Sequence, residues 1–111
     1  MSFALAQVLV QLNAGGYDAK IPPVPSGDRK PWGRWRDECR RLREQALTLF
    51  KQDALGAMGL GNNAMGNRVW DSVCAKAVDE DGTLNRREVL GELERWREEW
   101  EAKCKGEWSC R

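Results

Sequence analysis

Apolar side chains recur at intervals of three and four residues along most of this chain, and this spacing constrains its fold more than any other feature. In the last third of the sequence, the apolar positions at steps of four, three, four and four are Val89, Leu93, Trp96, Trp100 and Cys104. Such spacing places side chains on one side of an α-helix, which has 3.6 residues per turn. It predicts a helix over residues 84–105 that ends at Gly106.

Three further segments also indicate helix. Residues 33–55 carry an apolar stripe that includes Cys39 and Leu49 and is widened by Leu47. Residues 63–78 begin with Asn63, a residue suited to capping a helix. Residues 2–13 are apolar on nearly every side of the predicted helix. We therefore predict an all-α fold, a small bundle of about four helices over residues 2–13, 33–55, 63–78 and 84–105.

A proline-rich stretch separates the first two predicted helices. Pro22, Pro23 and Pro25 lie in residues 15–31, and proline disrupts the interior of a helix or a central strand. These residues are predicted to form an extended linker or arm. A chain of 111 residues has room for one hydrophobic core, so residues 1–111 are expected to form a single helical domain.

The residue types present limit the chemistry that the chain can perform. It has no histidine, so Ser–His and Cys–His catalytic pairs are excluded, and its four cysteines include no Cys-x-x-Cys pair of the kind that structural zinc sites use. We expect no enzymatic activity, no cofactor and no metal. No apolar stretch approaches the roughly 20 residues of a membrane span, and no secretory signal is apparent, so a cytoplasmic location is expected.

One loop resembles a known metal-binding motif. Within residues 77–88, Asp79, Asp81, Gly82 and Glu88 occupy the third, fifth, sixth and twelfth positions of a calcium-binding EF-hand loop. The resemblance implies that the three carboxylates bind calcium, but Ala77 occupies the first position, where the family has an acidic ligand. The same loop also predicts a turn at Asp79–Gly82 followed by a helix-capping box formed by Asn85 and Glu88, and neither requires a metal.

The segment 29–43 gathers seven basic residues around two tryptophans. It is a solvated helix face with internal ion pairs, a protein-binding surface, or a nucleic-acid surface that uses arginines for phosphates and indoles for stacking. This segment and Trp108, which lies outside the apolar stripes, supply the candidate partner-binding residues. They are Arg29, Lys30, Trp32, Arg34, Arg36, Arg40, Arg43 and Trp108.

By elimination, the leading hypothesis is a small, tryptophan-rich, non-enzymatic protein that docks on a macromolecular partner to block or bridge it. An inhibitor of host machinery that is encoded by a phage or mobile element is one example of such a protein. The alternative is a nucleic-acid-binding helical protein that uses segment 29–43. A homodimer is a further expectation, if the apolar sides of helix 2–13 are not covered within one chain.

Overall fold

The computed structural model describes residues 2–27 and 30–107, without the side chains of residues 30, 31 and 104–107. These residues form four α-helices: α1 (Phe3–Asn13), α2 (Lys30–Ala57), α3 (Ala64–Lys76) and α4 (Arg86–Glu107). The described part of the chain contains no β-sheet, and its only bridge of extended backbone joins Val78 to Leu84. The predicted all-α bundle is confirmed.

Local sequence explains where the helices begin. The side-chain oxygen of Ser2 accepts a hydrogen bond from the Leu5 amide, and that of Asn63 accepts one from the Gly66 amide, so both residues cap the helices that follow them. The linker was predicted to end at residue 31, and this boundary was wrong, because α2 starts at Lys30 and includes Pro31. Proline is accommodated there because the amides of a helix's first turn have no partner within the helix.

The core lies where all four helices meet, and Phe50 of α2 is at its centre. The Phe50 ring contacts Tyr17 and Trp70 edge-to-face, with ring centroids 5.2 and 5.9 Å apart. The largest fully buried aliphatic side chains come from α1 and from the first half of α4: Leu5, Val89, Leu90 and Leu93. Each contributes roughly 1.5–3 kcal/mol relative to exposure.

Tyr17, just beyond α1, fixes this helix against α2. Its hydroxyl donates a hydrogen bond of 2.7 Å to Asp53. Burial, and secondarily the Asp53 carboxylate, raises the pKa of Tyr17 well above its usual range. The Tyr17 carbonyl accepts a hydrogen bond from Arg86, whose guanidinium lies over the Phe50 ring, so this end of α1 is also joined to the start of α4.

Contacts at both ends of α1 define the helix directions. The Ser2 amide donates to Glu94, and Arg87 donates to Asn13, so α1 runs antiparallel to α4. Alongside α2, Ala4 and Val8 share a groove with residues 52–57, and the end of α1 lies nearer Phe50. We infer that α1 is also antiparallel to α2, and that α2 and α4 therefore run in the same direction.

The first half of α2 and the second half of α4 extend beyond the core, and because the two helices are parallel they point toward opposite ends of the molecule. The principal-axis extents are 65 × 27 × 24 Å, and the radius of gyration is 17.4 Å, against about 13 Å for a compact domain of this length. Within α2, only Phe50, Ala54, Leu55 and Ala57 belong to the core cluster. We call residues 30–46, which precede this part, the α2 arm. None of the described helices has the length and apolar character needed to cross a membrane.

Candidate interaction surface

The α2 arm carries most of the predicted partner-binding residues. It contains six basic and three acidic residues, and the side chains of Arg34, Arg36, Arg40 and Arg43 are exposed. Arg36, Arg40 and Arg43 follow steps of four and three, so they lie on one side of the helix. The structure thus brings three of the predicted arginines together, whereas Arg34, two positions before Arg36, lies on a different side of the helix.

These arginines are largely free of intramolecular partners. Among the residues that the structure describes, none of the four forms an ion pair. Arg36 donates a long hydrogen bond of 3.4 Å to the Trp32 carbonyl. The one ion pair on the described part of the arm joins Arg41 to Glu38, and its hydrogen bond lowers the pKa of Glu38. The internal pairing that would neutralise a solvated helix face is therefore confined to Arg41.

The two tryptophans of the arm are engaged within the protein. The rings of Trp32 and Trp35 meet edge-to-face, with centroids 5.6 Å apart and planes at 76°. The Trp35 indole N–H donates a hydrogen bond of 3.0 Å to the carbonyl of Pro22, which holds the proline-rich linker against α2. One turn further along the helix, Cys39 is only 2% exposed. This arrangement assigns the indoles a structural role.

An exposed leucine extends the basic side of the arm. Leu47 follows Arg43 by four residues, so the ridge formed by Arg36, Arg40, Arg43 and Leu47 is continuous along one side of α2. Leu47 is 37% exposed and its neighbour Leu49 is 46% exposed. Sequence reasoning placed both leucines in the core stripe and so did not recognise Leu47 as part of this surface.

Three of the predicted partner-binding residues lie wholly or partly outside the described part of the chain. Arg29 and Trp108 lie outside the described residues, and Lys30 lies at the first position of α2 with its side chain outside them. Their part in partner binding stays a prediction.

The loop that resembles an EF-hand has a turn held by its own hydrogen bonds. Gly82 has a φ of +83°, a left-handed conformation that favours glycine. The Thr83 amide donates to Asp81 and lowers the pKa of that carboxyl, while the Glu88 amide donates to the Asn85 side chain. Asn85 therefore caps α4, as predicted. Within the described residues, no three Cys, Asp or Glu side chains are placed to hold a metal ion.

The glycine-rich connection between α2 and α3 is part of the packed domain. Its apolar side chains Met58 and Leu60 are partly buried against the core. No protein-family model matches this sequence, and no curated protein or solved structure shows detectable similarity to it.

Proposed function

We propose that this protein is a non-enzymatic binding protein whose α2 arm docks on an acidic surface of a protein partner, blocking or bridging that partner. The observation that carries the proposal is the exposed ridge of Arg36, Arg40, Arg43 and Leu47 on a helix that projects beyond the core. Arginine is enriched at protein interfaces and among their hot spots, and Leu47 adds an exposed apolar contact beside these unpaired arginines.

The details of the ridge favour a protein partner over a nucleic acid. Binding to a single strand requires aromatic rings free to stack on bases, whereas Trp32 and Trp35 pack on each other and the Trp35 indole is bonded to the linker. Leu47 gives the ridge an apolar end that phosphate groups do not need.

The test is capture of partners from the native host by the wild-type chain and by the triple variant Arg36→Glu, Arg40→Glu and Arg43→Glu. A matched control reverses three exposed bases away from the arm: Lys20→Glu, Arg68→Glu and Lys103→Glu. An interface arginine at a hot spot contributes about 2 kcal/mol, equivalent to roughly a 30-fold change in affinity. We expect the arm variant to lose the partner and the control to keep it.

A second variant distinguishes the two classes of partner. Leu47→Ser removes the apolar end of the ridge and leaves its charge unchanged. It should weaken binding to a protein and leave binding to DNA or RNA unaffected. Tight nucleic-acid binding that is insensitive to Leu47→Ser and falls steeply with salt would replace the proposal by its alternative. Equal capture by the arm variant and the control variant would reject the α2 arm as the site.

A further inference from the structure

The outer side of α1 is the most exposed apolar surface in the described part of the chain. Phe3 is 79% exposed and Val10 is 68% exposed, and no other large apolar side chain there is exposed to the same extent. The two residues are seven positions apart and so lie on one side of the helix, with Gln7 between them. Although 32% of the chain is charged, α1 has no charged residue.

An open groove adjoins this ridge, between α1 and α2. Its volume is about 420 Å³, and its apolar lining includes Val8, Tyr17 and Ala57. Gln7 and Gln11 lie along the α1 side and Gln52 along the α2 side. Since a cavity of roughly 150 Å³ holds a benzene molecule, the groove has room for a phenyl ring.

We propose that this face is the contact between two copies of the chain, with Phe3 of each copy seated in the α1–α2 groove of the other. A protruding ring and a groove that fits it lie side by side on one surface, so a two-fold axis brings each ring to the partner's groove. The surface is distinct from the α2 arm, and the inference does not depend on the proposed function.

Charge and area both support a second copy as the occupant. The ridge is neutral and offers nothing to a partner selected by charge. Asp53, which lines the groove, accepts the hydrogen bond of the Tyr17 hydroxyl, and Phe3 of a second copy brings no like charge to it. A two-fold contact of one short helix and one groove buries roughly 1,000 Å² in total, near the lower limit for a specific interface. The dimer should therefore be reversible and dissociate on dilution.

The test is sedimentation equilibrium over a series of protein concentrations. Wild-type protein should shift with concentration from the chain mass of 12.6 kDa toward twice that value. Phe3→Glu places an acidic residue in the first turn of α1, where it complements the helix dipole and preserves the fold. It should weaken the dimer at least tenfold, an order-of-magnitude expectation for losing a central aromatic anchor.

A second variant blocks the groove instead of removing the ring. Gly56 lines the groove, and a Cβ added there meets no atom within 4 Å, so Gly56→Gln fills space without disturbing the monomer. This variant should also weaken the dimer at least tenfold. The matched control is Val24→Glu, at a linker residue that is 59% exposed, and it should leave association unchanged. Added salt should not weaken the wild-type dimer, because no ion pair forms it.

Several results would overturn this inference. A wild-type chain that remains monomeric at millimolar concentration has no such contact. A dimer that persists in both Phe3→Glu and Gly56→Gln uses another surface. Association that weakens steeply with salt is formed by charged groups, and therefore not by α1.

Discussion

Replacing Gly66 with alanine should destabilise the domain, although the residue lies within a helix where alanine is normally favoured. A Cβ at this position would lie 2.1 Å from the carbonyl oxygen of Gly61, in the connection between α2 and α3. This is roughly 1 Å closer than a normal contact, so the backbone of one segment must move, and overpacking of this kind costs about 1–3 kcal/mol. Movement of the helix start would also disturb the Asn63 cap, which is worth about 1 kcal/mol.

The expected net loss for Gly66→Ala is about 1–3 kcal/mol, after allowing up to about 1 kcal/mol for the better helix propensity of alanine. Gly91→Ala is the matched control, because a Cβ at this position in α4 meets no atom within 4 Å. It should stabilise the domain by about 1 kcal/mol. Urea denaturation followed by circular dichroism measures both changes as shifts in midpoint. If Gly66→Ala stabilises the domain as Gly91→Ala does, the close approach of the Gly61 carbonyl is refuted.

Three further predictions concern ionisation, the linker and calcium. Burial, and then the bonded carboxylate, raise the pKa of Tyr17, so the folded chain keeps a proton that the unfolded chain releases above about pH 10. Stability should be complete below that pH and fall above it by up to about 1.4 kcal/mol per pH unit; denaturation curves across this range measure the loss, and an unchanged slope in Tyr17→Phe would contradict the assignment. Trp35→Phe removes the donor to Pro22 and should speed the chemical modification of Cys39, measured by mass spectrometry of the peptide containing it; an unchanged rate would mean that the linker does not shield this thiol. Millimolar calcium should leave the thermal midpoint unchanged, because the first ligand position of loop 77–88 is Ala77, a buried methyl group; a calcium-dependent rise in the midpoint would contradict this expectation.

The periodicity of the sequence predicted the helices well because each follows from local interactions. Asn63 caps α3 and Asn85 caps α4 through hydrogen bonds within a few residues, and such bonds are visible in a short stretch of sequence. The end of the linker was misplaced because proline was taken to exclude helix throughout 15–31. Pro31 lies in the first turn, the one part of a helix that tolerates it.

The apolar stripes were a poorer guide to burial. Periodicity shows which side of a helix is apolar, but it does not show how far along that side a packing partner extends. Trp100 continues the stripe of α4, yet it is 45% exposed because it lies beyond the part of α4 that packs on the core. Leu49 is 46% exposed although it directly precedes Phe50, because it lies on a different side of α2 from that ring. The hydrogen bond from Trp35 to Pro22 joins a residue of α2 to a residue of the linker that precedes it, and the sequence of neither segment indicates this contact.

Because the α2 arm and the second half of α4 extend in opposite directions, the molecule carries a basic segment at one end and an acidic segment at the other. The α2 arm has an excess of three basic residues, whereas residues 92–103 of α4 contain five acidic and three basic residues. The helix dipoles, positive at the start of α2 and negative at the end of α4, add partial charges of the same signs. Near an acidic protein surface, the molecule therefore experiences a torque that turns the α2 arm toward that surface. Its orientation would thus be selected during diffusion, before any side chain makes contact.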